Sequence, residues 1–149
     1  MRLALALTIV TLLAVPAAAH AAAVAVSDAG ELSISALEED AASNDISVRM
    51  DGSDVYVIED ALVDLSIAAG SELRCSHPAE PDHKRVRCTR PQAGTPQINF
   101  ITLGAGNDRV TINGPIRSHA GAGIYGEDGD DTLIGGSAFD QLSGGPGNL

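Results

Sequence analysis

Apolar and polar residues alternate with a period of two over residues 24–64, and this period is typical of half-buried β-strands. The alternation predicts strands at residues 31–35, 46–50 and 55–58, and a further strand at 97–103. Turn-forming residues at 27–30, 43–45 and 51–54 separate the first three. Because Asp51 and Gly52 can also close a hairpin, the pattern leaves parallel and antiparallel pairing open in this region.

The first 21 residues have the three-part organisation of a secretory signal peptide. Arg2 supplies a positive charge, residues 3–15 are apolar, and small residues follow up to Ala21. We therefore predict cleavage after Ala21 and a secreted, extracellular mature protein. A membrane-spanning helix is the weaker alternative, because the apolar run is shorter than the ~18–20 residues that cross a bilayer.

A nine-residue period replaces the period of two in the last quarter of the chain. Residues 126–134 (GEDGDDTLI) and 135–143 (GGSAFDQLS) are consecutive units with Gly first, Asp sixth and Leu eighth. Residues 103–111 (LGAGNDRVT) form an earlier unit, and a partial one begins at Gly144. Glycine allows tight turns with positive φ, Asp offers a hard oxygen to a divalent cation, and the apolar residue points inward from a short strand.

These units resemble the hemolysin-type (RTX) calcium-binding repeat family over residues 103–149. The resemblance implies calcium as the ligand and a fold in which two units make one turn of a parallel β-roll. We predict an all-β protein, with a short parallel β-roll or β-solenoid at 98–149 preceded by a small β-rich region at 22–97. The implied metal-binding residues are Gly104, Gly106, Asn107, Asp108, Asp128, Gly129, Asp130, Asp131 and Asp140.

The resemblance also implies that metal-binding loops stack every 18 residues, whereas Asp108 and Asp131 are 23 residues apart. We predict that residues 115–119 bulge out as a loop and absorb the five extra residues. Ile124 then stacks against Leu142, and Asp140 faces Ala122, which makes a second site poorer than the first. Residues 44–46 resemble the turn-then-apolar step of the repeats without their glycines, and an ordinary β-turn is the favoured interpretation there.

Cys75 and Cys88 are the two cysteines of the chain, and in an exported protein such a pair is expected to form a disulfide. A zinc site that adds His77 and His83 is the less favoured alternative, because the spacing matches no familiar ligand pattern. The basic residues between 84 and 90 are a candidate anion-binding patch, or they offset the acidic remainder of the chain.

The chain carries 20 acidic and 9 basic residues, for a formal net charge of −11. This balance argues against nucleic acids and anionic membranes as partners and suits cations. With two Tyr, two Phe and no Trp, the core has to come from aliphatic side chains, which suits stacked coils better than one large core.

No catalytic motif such as G-x-S-x-G, H-E-x-x-H or a P-loop is present, so we predict no catalytic residues and no enzymatic activity. The mature sequence also lacks a segment suited to membrane insertion. The predicted function is a secreted calcium-binding protein whose Gly/Asp repeats fold around calcium on export. The alternative is a calcium-dependent adhesive or cell-envelope interaction module with a protein or cell-surface partner. A disordered Gly/Asp linker is disfavoured because three units share one phase.

Overall fold

The computed structural model describes residues 22–36, 42–78, 83–91, 95–138 and 141–147, with the backbone alone for 118–122. The predicted signal peptide at 1–21 and the predicted ligand Asp140 lie outside these residues. The described part of the chain contains twelve β-strands and no helix, which confirms the all-β prediction. Their bounds are β1 Ala23–Val26, β2 Glu31–Ser35, β3 Asp45–Asp51, β4 Val55–Asp60, β5 Ser66–Ile67, β6 Cys75–Ser76, β7 Arg85–Thr89, β8 Gln97–Thr102, β9 Arg109–Asn113, β10 Arg117–Tyr125, β11 Thr132–Ile134 and β12 Leu142–Ser143.

The strands form two six-stranded mixed sheets, ordered β12-β10-β8-β2-β1-β5 and β11-β9-β3-β4-β7-β6. From β8 onward, successive strands alternate between the sheets, and every pairing among them is parallel. The strands before β8 add antiparallel pairs to each sheet, of which β1–β2 and β3–β4 are the first. The turn after Asp51 therefore closes an antiparallel hairpin, which resolves the pairing that the sequence left open.

The core lies between the two sheets, because buried and half-exposed residues alternate along strands such as β1, β2 and β3. Most of its residues are aliphatic, as the composition predicted, but one aromatic residue is central. Tyr56 in β4 is fully buried, and its hydroxyl accepts the N–H of Gln97 at 3.0 Å and lies 3.0 Å from the carbonyl oxygen of Gly30. This side chain ties the antiparallel part of the fold to the start of β8.

The predicted 23-residue register between the turns before β9 and β11 is confirmed. Val110 in β9 pairs with Leu133 in β11, and Ile124 in β10 pairs with Leu142 in β12. The inward position of Ile124, which is fully buried, therefore agrees with the sequence-based register.

The predicted loop at 115–119 is wrong. Ile116 is fully buried, and Arg117 and Ser118 pair with Gln97 and Ile98 of β8. Most of the extra length is accommodated later, within β10, where residues 119–122 face a single residue of β8. The buried apolar side chain explains the difference, because looping out 115–119 would expose Ile116 to water.

The interpretation of residues 44–46 as an ordinary β-turn is also wrong. Asp45 and Ile46 begin β3, which pairs in parallel with Arg109 and Val110 of β9. The step therefore occupies the same place in the sheet as the corresponding step of the nine-residue repeats. Its lack of glycine hid this relation in the sequence.

The disulfide between Cys75 and Cys88 is confirmed, and it joins directly paired residues of β6 and β7. The rings of His77 and His83 stack with centroids 4.5 Å apart. Because the cysteines are oxidised, no thiolate remains for the zinc alternative.

Candidate calcium site

Three residues that immediately precede parallel strands stack at one edge of the second sheet. Asn44 precedes β3, Asp108 precedes β9 and Asp131 precedes β11. The first residues of these strands, Asp45, Arg109 and Thr132, pair across the sheet, so the residues before them lie in line. We call this set, Asn44, Asp108 and Asp131, the Asp column.

Backbone hydrogen bonds fix the carboxylates of the Asp column. The N–H of Asn44 donates to Oδ1 of Asp108 at 2.7 Å, and the N–H of Asp108 donates to Oδ1 of Asp131 at 3.0 Å. Each carboxylate thus reaches back to the preceding residue of the column. The column is held by strand pairing and by these bonds, so its geometry follows from the parallel register.

A second line of polar residues runs beside the first. It consists of Ser43, Asn107 and Asp130, and we call it the outer column. The N–H of Asn107 donates to Oγ of Ser43 at 3.2 Å, and the N–H of Asp130 donates to Oδ1 of Asn107 at 3.0 Å. In the outer column, Ser43 and Asn107 accept hydrogen bonds from the turn that follows, whereas in the Asp column the carboxylates accept from the turn that precedes. The two columns therefore link successive turns in opposite directions.

Glycines let the turns approach closely enough for these bonds. Gly106 and Gly129 have φ of 139° and 138°, which L side chains rarely adopt. A Cβ on Gly129 would collide with the carbonyl oxygen of Gly106, and a Cβ on Gly126 would collide with Oδ2 of Asp131. The first and fourth positions of this unit therefore have to be glycine.

The two carboxylates of the Asp column are buried without a compensating charge. Asp108 is 2% exposed and Asp131 is 8% exposed. Neither forms a salt bridge with a described basic residue, and Oδ2 of each is buried without a hydrogen-bond partner in the described part of the chain. Burying an anionic oxygen without a partner costs free energy, so binding of a cation or a proton would stabilise the column.

Burial raises the pKa of the Asp108 carboxyl above its ordinary value, and the negative charges of Asp131 and Asp60 raise it further. The hydrogen bonds from Asn44 act in the opposite direction but are outweighed. Oxygen atoms are the donors that a hard divalent cation such as calcium prefers. The donor set and the unsatisfied Oδ2 atoms therefore fit calcium.

Side chains alone do not complete a metal site. Among the described residues, no three His, Cys, Asp or Glu side chains gather into a group that could hold a metal ion. An ion at the Asp column would therefore take its remaining ligands from backbone carbonyls or water. The close approach of the turns at Gly106 and Gly129 places carbonyl oxygens at this edge.

The other predicted ligands differ in how far the structure defines their surroundings. Asn107, Asp128 and Asp130 have exposed side chains around the column. The backbone of Asp128 is bonded to two other predicted ligands: its N–H donates to the carbonyl of Gly104 at 3.0 Å, and its carbonyl accepts the N–H of Gly106 at 2.9 Å. Asp140 lies outside the described residues, so the second site stays a prediction.

The sequence did not indicate Asp60 as part of this site, and it gave only a weak indication of Ser43 and Asn44. Asp60 is 1% exposed at the end of β4, and its Oδ1 accepts the N–H of Asp45 at 3.2 Å and that of Leu62 at 2.8 Å. Nothing in its local sequence marks it, because the antiparallel hairpin alone brings it beside β3. For Asn44, the likeness of residues 44–46 to the repeats was the available signal.

Two of the basic residues in the candidate anion patch at residues 84–90 form ion pairs with acidic neighbours. Arg85 pairs with Glu59, and Arg87 pairs with Asp51 at 2.6 Å. Arg90 is 7% exposed and donates to the carbonyl of Ser53 at 3.0 Å. Arg85 and Arg87 therefore offset acidic residues, in line with the second of the two interpretations given above, and Arg90 is taken up by backbone contacts.

Comparison with known proteins agrees with the geometry. The family model for the RTX calcium-binding nonapeptide repeat matches four copies, in residues 93–111 and 124–148. No curated protein and no solved structure shows significant similarity to the chain. No helix among the described residues is long and apolar enough to cross a membrane.

Proposed function

We propose that this protein is secreted and binds calcium at the Asp column, because residues 93–111 and 124–148 match the family model of the RTX calcium-binding nonapeptide repeat. The observation that carries the proposal is the pair of buried carboxylates, Asp108 and Asp131, whose Oδ2 atoms lack hydrogen-bond partners among the described residues. Asp108 and Asp131 would supply side-chain oxygens, and the neighbouring turns would supply carbonyl oxygens. The role is binding, with no catalytic step.

Electrostatics couples this binding to folding. Two carboxylates ~4 Å apart repel by ~4 kcal/mol at an effective dielectric of 20. Calcium between them replaces that repulsion with attraction, so the turns stack firmly when the ion is present. Since the site exists only when β9 and β11 are paired, binding energy adds to the stability of this pairing.

The expected affinity explains why folding would follow export. Extracellular calcium modules commonly bind with Kd of ~10⁻⁴–10⁻³ M. A site of this strength is empty at cytoplasmic calcium levels and fills outside the cell. We propose that the chain crosses the membrane with the repeats incompletely folded, that residues 1–21 are removed, and that calcium then completes a parallel β-roll. The adhesive or cell-envelope role stays a prediction.

A calcium titration of the mature chain followed by circular dichroism tests the proposal. We expect β-structure to increase over ~0.1–1 mM calcium. Magnesium should act much more weakly, because it demands octahedral geometry and retains its water. An unchanged spectrum up to ~10 mM calcium, with no heat of binding by calorimetry, would contradict it.

A double-mutant cycle tests whether Asp108 and Asp131 act on one ion. Asp108→Asn and Asp131→Asn should each weaken calcium binding by about 100-fold, and the double variant should be little worse, because both remove the same site. Asp64→Asn is a matched control, since Asp64 is exposed and outside the column. Additive losses would show that the two carboxylates serve separate ions.

A further inference from the structure

Residues 42–44 lie outside the matched repeats, yet Asn44 begins the Asp column and Ser43 begins the outer column. We propose that Ser43 and Asn44 are positioning residues for the first calcium-binding turn, residues 104–108. This inference rests on the proposed function and extends the calcium site into the N-terminal part of the chain.

Asn44 holds one oxygen of Asp108 and leaves the other available. Its backbone N–H donates to Oδ1 of Asp108 at 2.7 Å, and its side-chain Nδ2 donates to the same oxygen at 3.3 Å. Oδ2 of Asp108 is buried and receives no hydrogen bond from the described residues. Because both donors meet Oδ1, the carboxylate is fixed in orientation while Oδ2 can still ligate an ion. Asn44 is 4% exposed, so these bonds form away from water.

Asn44 carries an amide, which can donate a hydrogen bond, where the repeats carry the carboxylate of Asp. A carboxylate there would accept hydrogen bonds and donate none, and it would add a negative charge beside Asp108. The Asn44 amide also donates to the carbonyl of Ala42 at 3.3 Å, which holds the segment in shape. The column therefore begins, at Asn44, with a donor in place of a further charge.

Ser43 and Ala42 also hold residues 42–44 close to the turn at residues 104–108. Oγ of Ser43 accepts the N–H of Asn107 at 3.2 Å. A Cβ on Gly106 would lie 3.2 Å from the carbonyl oxygen of Ala42, which is a tight approach. Side-chain and backbone contacts thus fix both Asn107 and Asp108 from the upstream side.

Calcium titration calorimetry on the full mature chain, paired with unfolding in a calcium chelator, tests this inference. Asn44→Ala should raise the calcium Kd about tenfold, as expected for an outer partner of a metal ligand. Ser43→Ala should raise it about threefold, because a backbone donor loses one acceptor. Asn99→Ala is the matched control. It removes an amide that donates to Oγ of Ser33 at 3.4 Å on the other sheet, and Kd should stay within about twofold.

Asn44→Asp separates positioning from ligation. The positioning role predicts weaker binding with an unchanged number of ions. A gain of one ion, or a Kd for Asn44→Ala within twofold of the wild type, would overturn the inference. If far-UV circular dichroism shows Asn44→Ala unfolded, Ser43→Ala decides, and an unchanged Kd there overturns it. A wild-type chain that binds no calcium would instead refute the proposed function itself.

Discussion

Residues 22–91 and residues 95–147 are built on the same two sheets, but they differ in how far they pair their charges. Among the described residues, the first region contains the ion pairs Arg74–Asp28, Arg85–Glu59 and Arg87–Asp51, and its buried Asp60 is the exception. The second region buries Asp108 and Asp131 with no described basic partner. The first region is therefore expected to hold its fold from its own contacts, whereas the second depends on a cation from outside.

Packing differs in the same direction. The first region contains the disulfide and the fully buried Tyr56. The second region ends in the short strands β11 and β12, where Ile134 is 40% exposed and Leu142 is 44% exposed. Thin packing at that end means that ion binding contributes a larger share of its stability.

Of the changes that test this comparison, removing the disulfide should have the largest effect on stability. Cys75→Ala with Cys88→Ala should lower the free energy of unfolding by ~3 kcal/mol, because the unfolded chain gains entropy when the loop opens. The calcium Kd should change less than about threefold, since β6 and β7 lie at the far end of the sheet from the Asp column. Denaturant unfolding in saturating calcium and calorimetry measure the two quantities. A large loss of calcium affinity would show that the regions are not separable in this way.

Replacing Glu127 should have a smaller effect, confined to the second region. Glu127 has a φ of 69°, and its counterparts in the adjacent turns, Gly104 and Gly145, have φ of 83° and 73°. Glu127→Gly should raise the stability of the calcium-loaded protein by about 1 kcal/mol, because a side chain in this conformation is strained. Glu127→Gln, which removes the charge but keeps Cβ, is the control and should gain less. Equal gains from both variants would assign the effect to charge.

The smallest expected effect is on pH dependence without calcium. The pKa of Asp108 is raised above 3.8 in the folded protein, mainly by burial. Between the unfolded and the folded value, the folded protein binds more protons than the unfolded chain, so this group makes stability fall as pH rises. Unfolding in a chelator at several pH values should show this downward contribution in the wild type and its absence in Asp108→Asn. A wild-type slope identical to that of the variant would contradict the assignment. Asp51, whose pKa is lowered by Arg87, contributes in the opposite direction in both proteins.

Local sequence was sufficient wherever a period was strong. The alternation at 31–35 predicted β2 with its bounds, and the nine-residue phase predicted the pairing of Val110 with Leu133. The presence of two cysteines in a chain expected to be exported predicted the disulfide. In each case the residues that carry the signal are those that make the contact.

Prediction failed where a distant strand decided the outcome. Counting residues does not show where, between Asp108 and Asp131, the five extra residues are accommodated. The structure places Ile116 in the core and accommodates most of the excess at 119–122, because burying an apolar side chain outweighs keeping a regular strand.

The sequence by itself determined the strands that carry a clear period, the glycine turns and the carboxylates that suit calcium, because these depend on neighbouring residues and a fixed repeat. Only the tertiary structure decided what lies upstream of the first repeat. Ser43 and Asn44 lie 64 residues before their partners Asn107 and Asp108, and Asp60 reaches the same edge through an antiparallel hairpin. Such contacts follow from the parallel pairing of β3 with β9, which no local pattern specifies.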